Sequence, residues 1–231
     1  MIISCIKSGK FLALALVMGL LLNSAKAQED KISYEPGVSV NYKMKSRWSA
    51  NTSLGTRLTA VEDAGTVTEF FELSQFFTYH WLSNVKISAG YKYRYRDPFE
   101  EEDYLYEHRF TQQISWAHSN LNQRYASRLR VDERWQNDNY RWRFRYRFSL
   151  DAPLSGEELN PKEFYAKASN ELLYTTGKTT DASLDNRLTA GIGYLLAQRN
   201  KMEINFQWRS NDLFSNLNHV PFLQFNYYIQ L

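Results

Sequence analysis

Between Tyr140 and Leu150 the chain reads YRWRFRYRFSL, and few folds can use such a segment. Large apolar residues stand at every second position: Tyr140, Trp142, Phe144, Tyr146, Phe148 and Leu150. Arg141, Arg143, Arg145, Arg147 and Ser149 stand between them. Period two is the side-chain period of a β-strand, so one face is apolar and the other carries four guanidinium groups. A soluble sandwich alternates too, but it must cover its apolar face. A strand with lipid on one side and a polar interior on the other needs this pattern for about 9–11 residues. The eleven residues here match that length.

The alternation recurs along the chain. Trp48 to Ala60 sets Trp48, Ala50, Leu54 and Leu58 against Ser49, Asn51, Ser53 and Arg57. Val67 to Trp81 sets Phe71, Leu73, Phe77 and Tyr79 against Glu72, Ser74, Thr78 and His80. Further candidates are Val85 to Arg96, Tyr104 to Trp116, Arg124 to Trp135, Phe164 to Tyr174, Leu184 to Leu196, Met202 to Trp208 and Phe222 to Leu231, with Ile32 to Tyr42 ahead of them all. Together with the arginine-rich segment these make eleven. Bacterial single-chain barrels normally have an even number of strands. The expectation is a single transmembrane, antiparallel, up-and-down β-barrel of about 10–12 strands, the parity favouring ten or twelve. Pro36 would then split the first run, or a strand would hide in a loop, or one segment would lie outside the wall.

The first residues have the pattern of a secretory signal. Lys7 and Lys10 precede an apolar run from Phe11 to Leu22, and Ala25-Lys26-Ala27 supplies a small-x-small cleavage pattern. Cleavage there makes residues 1–27 a signal peptide and residues 28–231 one barrel domain. It also removes three lysines and no acids, which leaves 25 basic and 25 acidic side chains. The excess of basic residues thus belongs to the precursor and gives no argument for nucleic-acid binding. The one cysteine, Cys5, goes too, so neither disulfides nor thiolate chemistry is expected. No later segment has eighteen consecutive apolar residues, which excludes a helical membrane protein but not a barrel.

Connections alternate in length. Leu82-Ser83-Asn84 and Gln198-Arg199-Asn200 are tight, whereas Asp97 to Asp103, Thr175 to Ser183 and Asn211 to Pro221 are longer and polar. Short periplasmic turns and longer external loops are the habit of outer-membrane barrels. Counting back from a periplasmic C-terminus puts these three long loops outside. Asp151 to Lys162 is long yet falls on the periplasmic side. In the last strand Leu223, Phe225, Tyr227, Ile229 and Leu231 share a face, similar to the C-terminal signal read by the barrel-assembly machinery. The usual final residue of that signal is Phe; here it is Leu231.

The whole expected mature chain resembles an uncharacterised outer-membrane barrel family, domain of unknown function 2490. The likeness rests on Tyr106-Glu107-His108-Arg109-Phe110-Thr111-Gln112-Gln113, on Arg128-Leu129-Arg130-Val131-Asp132-Glu133-Arg134, and on Arg141-Trp142-Arg143-Phe144-Arg145-Tyr146. Asn170-Glu171-Leu172 and Asn186-Arg187-Leu188 are similar to later family segments. The resemblance implies the same fold and location, and it carries no activity or catalytic residue with it.

If the polar face is the lumen, strands four to seven send thirteen basic side chains inward: Lys86, Lys92, Arg94, Arg96, Arg109, Arg124, Arg128, Arg130, Arg134, Arg141, Arg143, Arg145 and Arg147. They send in two acids, Glu107 and Asp132. Other walls add Glu72, Glu171, Asp185 and Glu203, and further acid sits in the loop at Glu100-Glu101-Glu102-Asp103. Like charges on neighbouring strands repel, so this wall must recruit carboxylates, water or anions. The primary expectation is a narrow barrel filled by ion pairs and water. The alternative is a small anion-favouring pore or a ligand-binding barrel. Expected partners are outer-membrane lipids, the assembly machinery and small anions, with no nucleic acid and no cofactor. A lipid-modifying enzyme would need a nucleophile beside a base. The candidates, His108 and Ser127, fall on adjacent strands four to six residues out of register, roughly 13–20 Å apart at the strand rise. His80 is expected in a polar wall, and His118 and His219 in turns, none with ligand-like spacing.

Overall fold

Eleven strands, and no helix, make up the described part of the chain: β1 (Ser33–Lys43), β2 (Trp48–Val61), β3 (Gly65–His80), β4 (Val85–Arg96), β5 (Leu105–Asn120), β6 (Gln123–Gln136), β7 (Asn139–Pro153), β8 (Phe164–Gly177), β9 (Ser183–Leu195), β10 (Lys201–Asn211) and β11 (Asn218–Gln230). The structure is a computed structural model, and it describes residues 33–61, 65–96, 105–120, 122–137, 139–178, 181–197 and 200–231. The expected signal segment and the acidic stretch Glu100 to Asp103 lie outside these residues.

Each strand pairs with its neighbour in sequence, antiparallel, and β1 closes the sheet into a barrel by pairing with β11. That last pairing is parallel, with Val38 opposite Tyr227 and Val40 opposite Ile229. The expectation of ten or twelve strands is thereby corrected to eleven, and a wholly antiparallel barrel to a mixed one. The cause is parity: in an up-and-down sheet of odd strand number, the first and last strands run the same way, so closure requires one parallel seam.

Pro36 does not split the first strand. The β1–β2 ladder simply lacks partners at Glu35 and Pro36, and its register is the same on both sides of them. Proline has no N–H to give the ladder there. The inward side chain of Glu35 compensates, accepting from Arg57 at 2.7 Å, Arg209 at 2.5 Å and Gln224 at 2.8 Å. Those residues lie on β2, β10 and β11, so one carboxylate ties the seam to both neighbouring walls.

The faces follow the alternation. Large apolar side chains point outward and stay exposed, with Leu54 62% and Ile204 55% accessible. The buried residues are mostly polar or charged: Asp132 is 0% accessible, Glu171 1% and Glu107 2%. This is the inverse of a water-soluble domain. Aromatic residues gather at both ends of the outer wall. Trp48, Tyr79, Trp116, Tyr125 and Phe164 stand near the rim that holds the end of β11. Tyr106, Trp135, Tyr140, Trp142 and Trp208 stand near the opposite rim. On β6, Tyr125 and Trp135 are ten residues apart. That separation is about 33 Å along the strand, or about 25 Å of wall height at a tilt near 40°.

The long connection between β7 and β8 has a visible use. It folds over the β11-end rim, held by hydrogen bonds from Leu154 N to Phe164 O and from Lys162 N to Leu195 O. Its Glu157, Glu158 and Leu159 line a cavity of about 1080 Å³ together with Ser46 and Arg47 from the far wall.

The parallel seam can be tested by cross-linking. In a Cys5→Ser background, Val38→Cys with Tyr227→Cys should oxidise to an intramolecular disulfide, because the two are partners across the seam and neighbouring strands bring Cα atoms within disulfide reach. Trypsin digestion followed by mass spectrometry reads the link. Its absence would indicate that β2, not β1, closes against β11.

Candidate functional site: a cationic lumen

The inner wall from β4 to β7 puts like charges face to face. Arg128 stands opposite Arg147, Arg130 opposite Arg145, and Arg134 opposite Arg141. Directly opposed like charges destabilise a sheet. Here the wall is held by carboxylates that each serve several cations. Glu171, reaching in from β8, accepts from Arg128 at 3.0 Å, Arg145 at 2.6 Å and Arg147 at 3.1 Å. Asp132 accepts from Arg145 at 3.4 Å and from the Thr111 hydroxyl at 2.7 Å. Glu107 joins Arg109 to Arg134, and Glu72 joins Lys92 to Arg94. Glu203 binds Lys167, Lys201 and the Tyr165 hydroxyl, each within 2.9 Å.

These groups surround two cavities with no lining residue in common. The cavity behind the β7–β8 connection takes Lys86, His80 and Arg124 from the walls, Arg124 pairing with Asp151 at 3.0 Å. The other, of about 360 Å³, lies at the level of the arginine rows. Between the two linings stand small side chains such as Ser88, Gly90, Ser115 and Ala126, with Phe76, Lys167 and Glu203. Phe76 points inward, and its ring occupies the space a side chain at Gly90 would need.

Of the basic residues expected in the lumen, Lys92, Arg94, Arg109, Arg128, Arg130, Arg134, Arg143, Arg145 and Arg147 line the smaller cavity. Arg141 does not; it donates to Gln136 at 2.6 Å, toward the rim. Arg96 closes β4 and lines neither cavity. Asp185 is buried on β9 and accepts from the Asp212 backbone rather than from a cation. Sequence reasoning did not assign Glu35, Glu69, Arg187 or Arg209 to this site, and it placed Arg57 on the polar face without a role. Arg209 follows Trp208, where the visible alternation fades, yet it keeps the odd-numbered parity of Glu203 and Gln207. Glu69 enters through a bulge: the β2–β3 register shifts beyond Arg57, and the extra residue brings its carboxylate 2.9 Å from that guanidinium. Arg57 and Arg209 also cover the Phe222 ring, at 4.8 and 3.5 Å from its centroid.

Three arginines of the cavity have no carboxylate partner among the described residues. Arg130 binds the Gln113 side chain at 2.6 Å and Arg143 the Thr175 hydroxyl at 2.8 Å. The Arg187 side chain makes no hydrogen bond with any described residue, and its Nε is buried.

The enzyme candidates are farther apart than expected. The β5–β6 register puts His108 opposite Trp135, not near residue 132, so it is eight residues from Ser127. His108 instead accepts or donates a hydrogen bond with the Tyr91 hydroxyl on the outer wall. His118 and His219 lie within β5 and β11 rather than in turns, because those strands run beyond the alternation that marked them. His219 bonds Ser210 at 3.0 Å and stacks on Trp208. Among the described residues no group of three His, Cys, Asp or Glu side chains could hold a metal ion.

An eleven-stranded mixed barrel with an apolar exterior and a buried ion-paired interior is the class of protein these observations define. The model of the family described as "Protein of unknown function (DUF2490)" matches residues 36–220, and the chain belongs to that family. None of the curated proteins and none of the solved structures compared with the chain matches it.

Glu171 is the test of the wall. Glu171→Gln leaves Arg128, Arg145 and Arg147 facing one another without their common carboxylate. It should destabilise the barrel by about 3–5 kcal/mol, the usual cost of breaking a buried ion pair from one side. Glu157→Gln on the exposed rim should change stability by no more than about 0.5 kcal/mol. Urea unfolding followed by tryptophan fluorescence compares them.

Proposed function

We propose that the protein is an integral outer-membrane β-barrel whose lumen is a packed, ion-paired core and not an open channel. The observation that carries this reading is the inverted distribution of side chains: exposed Leu, Ile and Phe around the wall, buried Glu, Asp and Arg within. Only a low-dielectric surrounding makes that outer surface favourable. The two belts of aromatic residues, about 25 Å apart, suit the two membrane interfaces. The N-terminal signal pattern supports export through the general secretory pathway, and the apolar face of β11 supports recognition by the barrel-assembly machinery. In this orientation the β11-end rim faces the periplasm, and the β7–β8 connection covers the lumen from that side. No catalytic role is assigned to His108 and Ser127, which lie eight residues out of register.

The lipid-facing register has a direct test. Phe144 and Arg143 are neighbours on β7 that point to opposite sides. Arginine at a mid-bilayer outward position costs roughly 2–4 kcal/mol. Phe144→Arg should therefore lower the yield of folded, heat-modifiable protein in outer membranes well below that of Arg143→Gln. The reverse order would invert the register.

The packed lumen predicts that purified protein in planar bilayers gives no sustained conductance steps. A narrow anion pore is the second reading, favoured by the cationic wall. A sustained current with chloride preference in a potassium chloride gradient would support it, and cation preference would overturn the charge argument for the lumen.

A further inference from the structure

The charge in the smaller cavity is not balanced by the described residues. Its lining includes eleven arginines and Lys92. The carboxylates that line it or pair with those cations are six: Glu35, Glu69, Glu72, Glu107, Asp132 and Glu171. With Asp185, which acts electrostatically on Arg143, counted as well, five positive charges remain in and around about 360 Å³. The excess is local. Arg130, Arg143 and Arg187 are the members without a carboxylate ion pair among the described residues, and Arg187 lies within electrostatic reach of Arg143, Arg145 and Arg209 as well as of Glu171. The Nε atoms of Arg128, Arg145, Arg147 and Arg187 are buried and have no hydrogen-bond partner. Buried donors of this kind normally find a protein group, a water or a ligand.

We propose that this cavity is a binding site for a small, multiply charged phosphate-class anion, held by Arg130, Arg143 and Arg187; the proposal rests on the barrel reading above. Charge density decides the ligand class. A carboxylate brings one negative charge, whereas a phosphate group brings about −1.5 to −2 and three acceptor oxygens in little more volume. Planar guanidinium forks match such oxygens in pairs, and the lining uses arginine almost throughout where lysine would serve a mere field. The volume lies near the lower end of ligand pockets, which suits pyrophosphate or a phosphorylated small metabolite. Most of the lining faces the barrel interior, which suits a soluble ligand better than a lipid headgroup tethered at the outer surface.

The test uses the full mature chain in detergent, titrated calorimetrically with pyrophosphate in low-salt buffer. Saturable binding near one per barrel is expected, weakening as salt rises. Arg143→Gln/Arg187→Gln should lower the affinity roughly a hundredfold or more, since a charge-assisted hydrogen bond lost at each position is worth about tenfold. Heat-modifiable migration must show that this variant is folded; if it is not, Arg187→Lys, which keeps the charge but loses the fork, should weaken binding in its place. Absence of saturable pyrophosphate binding, or equal binding by the variants, overturns the site. Binding of a micellar phosphorylated lipid without binding of pyrophosphate overturns it as well. Detergent dependence of the folded state reports separately on the barrel reading: a detergent-dependent barrel that ignores pyrophosphate sinks only the anion site. A chain that folds and binds pyrophosphate without detergent keeps the site and sinks the membrane assignment.

Discussion

Mutual repulsion among the inward arginines is the constraint on which the rest of this structure depends. Guanidinium groups cannot shed their charge, so the wall must be neutralised where it stands. The solution is sharing. Glu171 serves three arginines, Glu107 two, and Glu35 two from strands that are far apart in sequence. Each carboxylate therefore links strands as well as cancelling charge. In a barrel with so little buried apolar surface, these links do the work that a hydrocarbon core does elsewhere.

Closure is the second constraint, and it is coupled to the first. An odd strand number forces one parallel pair, slightly weaker per residue than an antiparallel one. The weakest stretch of that region, at Pro36, is also where Glu35 gathers Arg57, Arg209 and Gln224 from three strands. The bulge at Glu69 adds a second carboxylate to Arg57. Electrostatic pairing is thus concentrated where the backbone ladder is least complete. The inward Phe76, seated against Gly90, and the β7–β8 connection over one rim complete the division of the interior into two separate cavities.

Much of this was legible in the residues. Strand positions, the inward parity of Arg94, Arg109, Arg128, Arg130, Arg134, Arg143, Arg145 and Arg147, and the outward row of Phe225, Tyr227 and Ile229 follow from period two alone. Other features were hidden. Pro36 offered a possible split of the first candidate strand, which tolerates it because the missing N–H falls in a gap of the β1–β2 ladder. Arg209 escaped because the apolar half of the pattern ends at Trp208 while the polar half continues. The offset of His108 from Ser127 exceeds the four to six residues expected because β5 runs on to pair Asn120 with Gln123, and each residue by which a turn centre moves shifts a cross-strand partner by two.

Side-chain alternation is a local property, so the sequence by itself determined the all-β class, the approximate strand positions and which face of each strand is polar. Which carboxylate meets which arginine, the parallel closure, and the cavity where arginines outnumber acids were decided only by the tertiary structure. Those depend on register, on parity and on residues as distant as Glu35 and Arg209 meeting across the seam. No pattern within a single strand encodes the spacing between strands that close around a common axis.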